Sequence, residues 1–313
     1  MTGSVCRYTG AIVTCSRIKR EPEFGSIVAV GLVERLCDEP TAVLPVRGRF
    51  MNWTASHAFS ICPAPWNRLY DRAGELLQYI EVNGLFGADN FIFYNNSVSP
   101  SLNPILDLYK NRIEIVDWQL PVYYAQDKKR EIHYFAQSSA ILDCLYRAYL
   151  SSRFVVFLDM DEVLVPMRAK SWREFLPSDL SKVSALVVRN TFFRKEWKQD
   201  ARYANHSLLQ RFPVDALLYT KREQKIWPAR ARSKYIARPE CVDIPGIHTP
   251  FKLLCGVSAP AQPDTALVMH YRNWDNYKDA QPQIPDRRIH HFGDVIMQRI
   301  EAVANALSSG EKL

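Results

Sequence analysis

The stretch Arg153–Pro166, RFVVFLDMDEVLVP, decides how the rest of the chain is read. Five of the six residues before Asp159 are apolar. An apolar run without polar alternation is the pattern of a strand covered on both faces. It leads straight into Asp159-Met160-Asp161-Glu162, and Val163-Leu164-Val165 resume the apolar run. Carboxylates crowded at the end of a buried strand repel one another and resist desolvation. A divalent cation relieves both problems, whereas a solvated acidic turn would not be followed by a second buried run. Ligands of open α/β sheets bind beyond the carboxyl ends of the strands. Asp159 and Asp161 are therefore expected at the end of a central strand, opening into the largest pocket, beside a metal and a phosphate-bearing ligand. By the same repulsion, removing Asp161 is expected to leave the metal-free protein equally stable or slightly more so.

Upstream, strand and helix patterns alternate. HAFSICP (57–63), NFIFY (90–94) and Ile113–Trp118 read as strands. Between them, Trp66–Asn83 and Leu102–Asn111 read as helices, the first stopped by Gly84 and Gly87. Arg130–Ser151 reads as a long helix before the Arg153 strand. This alternation predicts an α/β fold with a doubly wound, mainly parallel sheet flanked by helices. Beyond Pro166 the pattern turns irregular. Trp172–Leu176 and Phe292–Leu307 read as helices, with strands at Ser184–Asn190, Tyr235–Arg238, Ile244–His248 and Ala266–Tyr271. The predicted organisation is an N-terminal extension (1–55) with strands near 26–36 and 41–50, then one domain (56–313). Within that domain, 56–166 would be a nucleotide-binding half and 167–313 a substrate half on the same sheet.

Composition narrows the function classes. The 313 residues are 47% hydrophobic and 23% charged, with a net charge of +7. That charge suits a polyanionic ligand, but the basic clusters at 128–130 and 230–232 are too short for a nucleic-acid track. No run of about 18 apolar residues exists to span a membrane, and no signal-peptide core is visible in the first 20 residues. Seven cysteines include no C-x-x-C pair, which argues against a zinc or redox site. N-x-S/T sequons stand at Asn52, Asn95 and Asn205, a hint of a secretory compartment.

Several runs together carry a resemblance. Gln137-x-x-Ala140-x-x-Asp143-Cys144-Leu145-x-Arg147 followed by FLDMDEVLVP resembles glycosyltransferase family 92. So do ICPAPW…LLQYIEVNGLFGADNFIFYNNS upstream, and SKYIARPECVDIPGIH and MHYR downstream. The resemblance covers about Phe59–Arg272. It implies a GT-A fold, Mn²⁺ (or Mg²⁺), and a UDP-sugar donor, chiefly UDP-galactose. It further implies inverting transfer to a glycan or glycoprotein acceptor in the Golgi lumen, with an N-terminal anchor helix. This chain has no such helix, which makes it a lumenal fragment or an atypical member. NTFFRKEWKQD after Arg189 matches the family weakly, where acceptor contacts are expected.

The residues give the chemistry. Asp159 and Asp161 would hold a hard cation that bridges both phosphates of the leaving group. Glu162 either joins them or pairs with an arginine. The family pattern adds a distant histidine as third ligand, His248 or His270, each ending an apolar stretch. Lys234, Arg238 and Arg272 are candidate diphosphate cations. Asp143 and Arg147 form an i, i+4 salt bridge, or Asp143 reaches toward the donor. Gln137 and Cys144 share a helix face that packs on the sheet. Glu196, Asp200 and Asp215 are candidates for the general base of an inverting transfer, Glu196 foremost.

Two other classes are set beside this one. Asp159-x-Asp161 also fits the nucleophile motif of a haloacid-dehalogenase-like phosphatase, which needs a downstream acidic pair; Gly293-Asp294 is its only partial match. A non-catalytic sugar-binding relative would not need the acidic triplet.

Overall fold

Strand residues that looked uniformly apolar alternate between two buried layers. Phe91, Phe93, Phe154 and Val156 face one core, and Ile92, Tyr94, Val155 and Phe157 face the other. A sheet covered on both faces has no polar side to show.

The computed structural model describes residues 28–35, 37–46, 55–120, 132–177, 182–273 and 282–310. Ala55–Leu313 belong to one compact unit and Ala11–Thr54 to a second. In the second unit β1 (Ala29–Leu32) and β2 (Ala42–Pro45) form an antiparallel pair. The sequon at Asn52 and the cysteines Cys6 and Cys15 lie outside the described residues.

The larger unit begins with β3 (His57–Cys62), α1 (Ala73–Phe86), β4 (Asn90–Asn95), α2 (Asn103–Leu108) and β5 (Ile113–Asp117). There follow α3 (Gln137–Tyr149), β6 (Ser152–Phe157), β7 (Glu162–Pro166), α4 (Trp172–Phe175), β8 (Val183–Val188) and β9 (Asn190–Phe193). Short elements come next: α5 (Ser207–Arg211), α6 (Asp215–Leu218), β10 (Lys221–Glu223), β11 (Lys234–Ala237), β12 (Val242–Ile244) and β13 (Lys252–Leu253). The unit closes with β14 (Val257–Pro260), β15 (Ala266–Tyr271), β16 (Gln283–Pro285) and α7 (Gly293–Ser309).

The central sheet has seven strands in the order β14-β8-β11-β6-β3-β4-β5. It is mostly parallel; β11 alone runs antiparallel to both neighbours, β6 and β8. From β3 the chain steps outward to β4 and β5, then returns across to β6 on the other side of β3. That reversal is a topological switch point, and it leaves a crevice above the carboxyl ends of β3 and β6.

The second half does not simply extend this sheet. Glu162 N–H donates to Asp159 O at 3.1 Å, closing a tight turn after β6. The turn lifts β7 into a separate three-stranded sheet, β7-β15-β9. Two helices also begin later than their spacing predicts. Trp66–Arg72 is tied to the strand edge instead, with Trp66 N–H on Tyr94 O (2.8 Å) and Tyr70 N–H on Ser97 O (3.0 Å). Gly87, at φ +135°, ends α1, a conformation that favours glycine; Gly84 lies inside the helix. Tyr134, Phe135 and Ala136 stand at positive φ before α3, and Trp118 Nε1 donates to Phe135 O at 3.0 Å.

Among the described residues two disulfides brace the unit: Cys62–Cys144 links β3 to α3, and Cys241–Cys255 closes the β12–β13 hairpin. Among the described residues no helix is long and apolar enough to cross a membrane.

Candidate active site

Asp159 and Asp161 sit on the turn between β6 and β7, where both sheets meet. Each is set by strand register. Antiparallel pairing of Tyr235 with Phe157 carries Lys234 one step further, alongside the acidic turn. Pairing of His270 with Glu162 in the second sheet brings the imidazole to its other side. Tyr271 N–H then donates to Asp161 O at 2.9 Å, extending the ladder into the turn.

The result is a compensated charge cluster. Lys234 Nζ lies 2.6 Å from Asp159 Oδ2 and 3.5 Å from Glu162 Oε2. His270 Nε2 lies 3.1 Å from Asp161 Oδ2, and its Nδ1 lies 3.1 Å from Glu162 Oε1. Glu162 Oε2 also accepts the Asp159 N–H at 2.9 Å, and Gln137 Nε2 donates to Asp159 Oδ1 at 3.3 Å. Burial favours neutral imidazole, yet Asp161 and Glu162 overcome it, and the His270 pKa is pushed up to about 10. Burial would raise Asp161, but His270, Arg272 and Lys234 hold it at about 2. For Glu162 the burial penalty is likewise outweighed by Lys234 and His270, and its pKa is lowered. Asp159 goes the other way: burial, with Glu162 and Asp161 close by, raises it despite Lys234. Asp161 is thus a stabilised anion, not a strained one. The expectation that its removal would be neutral or stabilising is replaced by a net loss.

A two-lobed cleft opens over this turn. The smaller lobe, about 200 Å³, is walled by Trp66, Tyr70, Asp159 and His270. The larger, about 600 Å³, is walled by Arg68, Phe135, Gln137 and Lys195. Arg72, Glu75, Asp161 and Arg272 line both. A separate cavity of about 700 Å³ lies against α5 and α7; it exceeds either lobe alone, while the two lobes together exceed it. Chemistry and topology, not size, single it out.

The other sequence-derived candidates are distributed as follows. Lys234 is a buried counterion of the acids and not a cation facing the cleft. Arg272 lines the cleft. Arg238, at the far end of β11, pairs with Glu240. His248 Nδ1 lies 3.1 Å from Ser233 O, and among the described residues no group of three or more His, Cys, Asp or Glu is arranged to hold a metal alone. Asp143 is bound to Arg147 (2.6 Å) and accepts the Tyr94 hydroxyl (2.6 Å). Gln137 reaches the acidic turn while Cys144 is bonded to Cys62, so only the latter packs on the sheet as expected. Glu196 is exposed and absent from the cleft walls. Asp200 is held by Thr220 and Arg287, and buried Asp215 by Lys195 at 2.7 Å. Asp294 pairs with Arg202 in the separate cavity.

Sequence reasoning missed Arg68, Arg72, Glu75 and Lys195. The strand-to-helix segment after β3 was read as plain helix, which hid its approach to the cleft.

The carboxylates fit a hard cation only in one form. Asp159 and Asp161 offer oxygen ligands but supply no closed cage, the arrangement in which one or two carboxylates share the ion with substrate phosphates.

The model of glycosyltransferase family 92 matches residues 57–305. The chain is similar to "Beta-1,4-galactosyltransferase galt-1" of Caenorhabditis elegans, at 24% identity over 80% of this chain and 56% of that protein. It is also similar to "Glycosyltransferase family 92 protein F59C6.8" of the same organism, at 28% identity over 66% of this chain and 40% of that protein. A crystal structure of S. aureus TarS (1–349) matches with a TM-score of 0.33 and 14% identity, over 79% of this chain and 65% of that one. The chain spans about half the length of the curated relatives it matches. With a family model that takes in both sheets and every residue of the acidic turn, the chain belongs to glycosyltransferase family 92.

Proposed function

We propose that the protein is a metal-dependent, inverting glycosyltransferase with a GT-A-like fold, moving galactose from UDP-galactose to a hydroxyl of a glycan or glycoprotein. The observation that carries this reading is the Asp159-x-Asp161 turn at the switch point of the sheet, facing a cleft walled by Arg68, Arg72, Lys195 and Arg272. Acids and guanidinium groups lining one cleft suit a diphosphate shared between a cation and those guanidinium groups. Asp159 and Asp161 would hold Mn²⁺ or Mg²⁺, which when bound neutralises charge on the departing diphosphate. His270 holds Asp161 ionised, and Lys234 and His270 orient the two carboxylates. Arg68, Arg72 and Arg272 would take the phosphate oxygens. Galactose as the sugar is supported by the name of one relative, a β-1,4-galactosyltransferase. The two disulfides and an exposed sequon at Asn205 support an oxidising compartment such as the Golgi lumen.

The test is a panel of nucleotide sugars with and without Mn²⁺, read by thermal protection and by release of the nucleoside diphosphate. A ligand at 100 times its Kd should add about 2.7 kcal/mol. Failure of every nucleotide sugar to protect or react would overturn the reading.

A further inference from the structure

Among the described residues three acids line the cleft: Asp159, Asp161 and Glu75. The first two are committed to Lys234 and His270. Glu75, in the first turn of α1, is not part of that cluster. Its side chain is 7% exposed, and it lines both lobes, so it stands where material held in one lobe meets material held in the other. Tyr70 Oη donates to Glu75 Oε1 at 3.1 Å, and Arg72 Nη1 lies 3.1 Å from Oε2. Each oxygen keeps a lone pair for a further proton, and the two contacts fix the carboxylate's direction. The charged groups around it are Arg72, Asp161 across the cleft, Asp215 on α6 and Lys195 after β9. Burial dominates them and, with Asp161 and Asp215 adding, lifts the Glu75 pKa to about 7 despite Arg72. A carboxylate so raised accepts protons near neutrality, which the Asp161 carboxylate, held at about 2, does not.

We propose that Glu75 is the general base that takes the proton from the acceptor hydroxyl. This rests on the transferase reading above. The acceptor oxygen forms a bond to the anomeric carbon, the bond from that carbon to the diphosphate oxygen breaks with its electron pair leaving on UDP, and the hydroxyl proton passes to a Glu75 oxygen. None of Glu196, Asp200 and Asp215 combines a place on the cleft wall with a free lone pair directed into it.

The test compares two nucleophiles on the wild type, Glu75→Gln and Glu75→Asp, with UDP-galactose and Mn²⁺. Water needs a base, whereas azide attacks the anomeric carbon as an anion and has no proton to lose. Glu75→Gln should release galactose about 10²–10⁴-fold more slowly while forming galactosyl azide within about threefold of the wild-type rate. Thermal protection by UDP-galactose should persist in the variant, and Glu75→Asp should recover part of the hydrolysis. Loss of both reactions in parallel would mark a structural role and overturn the proposal, as would hydrolysis by Glu75→Gln within about threefold of wild type. If the wild type shows no product from either nucleophile and no protection, the transferase reading falls, and this proposal with it.

Discussion

Replacing Lys234 by Met keeps the aliphatic stem and deletes the ammonium at the centre of the acidic turn. Lys234 is 2% exposed and touches Asp159 at 2.6 Å and Glu162 at 3.5 Å. At an effective dielectric of about 20, those distances correspond to attractions of roughly 6 and 5 kcal/mol. Releasing the ammonium from burial returns several kcal/mol, and water reaching the partly exposed Asp159 screens its share. The expected net loss is therefore about 3–5 kcal/mol, the range for breaking a buried pair and leaving its partner uncompensated. Urea denaturation at pH 7.5 without divalent ions, followed by circular dichroism, measures it. A cycle with Asp159→Asn isolates the pair. The double variant should be more stable than the sum of the two losses implies by at least about 1.5 kcal/mol, because the residues are in contact. A Lys234→Met loss below about 1 kcal/mol, or strictly additive losses, would refute the argument that this ammonium holds the cluster together.

Asp161→Asn should abolish metal-dependent UDP release and cost about 2 kcal/mol at pH 7, since a folded pKa near 2 lies below the unfolded value of about 3.9. That contribution is present above about pH 4 and fades as pH falls toward 2; near-wild-type turnover in the variant would contradict the site assignment. Glu75→Gln should melt higher than wild type at pH 8 but not at pH 4, because a folded pKa near 7 makes the wild type lose stability as pH rises from about 4 through 7; equal melting points at pH 8 would refute the burial of this carboxylate. Reducing or mutating the Cys62–Cys144 bridge should lower stability by about 2–4 kcal/mol, seen as an earlier unfolding midpoint under reducing conditions.

How much was legible in the sequence follows from what each signal depends on. The β6 run and the acids beyond it were readable because burial on both faces and like-charge crowding are local properties. His270 was visible as a residue ending an apolar stretch, but its contact with Asp161, 109 residues away, depends on the β7–β15 register. Nothing local distinguished it from His248, which ended in a hydrogen bond to a backbone carbonyl. Lys234 was assigned to the diphosphate from its closeness in sequence to the candidate histidines; the antiparallel insertion of β11 next to β6 buried it instead. Glu75 carried no signal at all. An acidic residue in the first turn of a helix is ordinary, and the non-helical Trp66–Arg72 segment, held to the end of β4, brings that turn to the cleft.

Those same long-range contacts explain how an acidic turn can end a buried strand. Three carboxylates at the β6–β7 turn would resist folding if left alone. Lys234 and His270 come from strands that pair directly with β6 and β7, so closing the two sheets delivers the counter-charges with the backbone ladder itself. With the imidazole and all three carboxylates charged the cluster carries one negative charge in excess, and Arg68, Arg72 and Arg272 line the cleft above it. Stability and ligand chemistry are thereby divided between different residues. Glu162, Lys234 and most of His270 are buried and serve the fold, while Asp159 and Asp161, about a third exposed, turn oxygen toward the cleft. Altering the exposed Asp161 costs about 2 kcal/mol, whereas breaking the buried pair beneath costs about 3–5 kcal/mol.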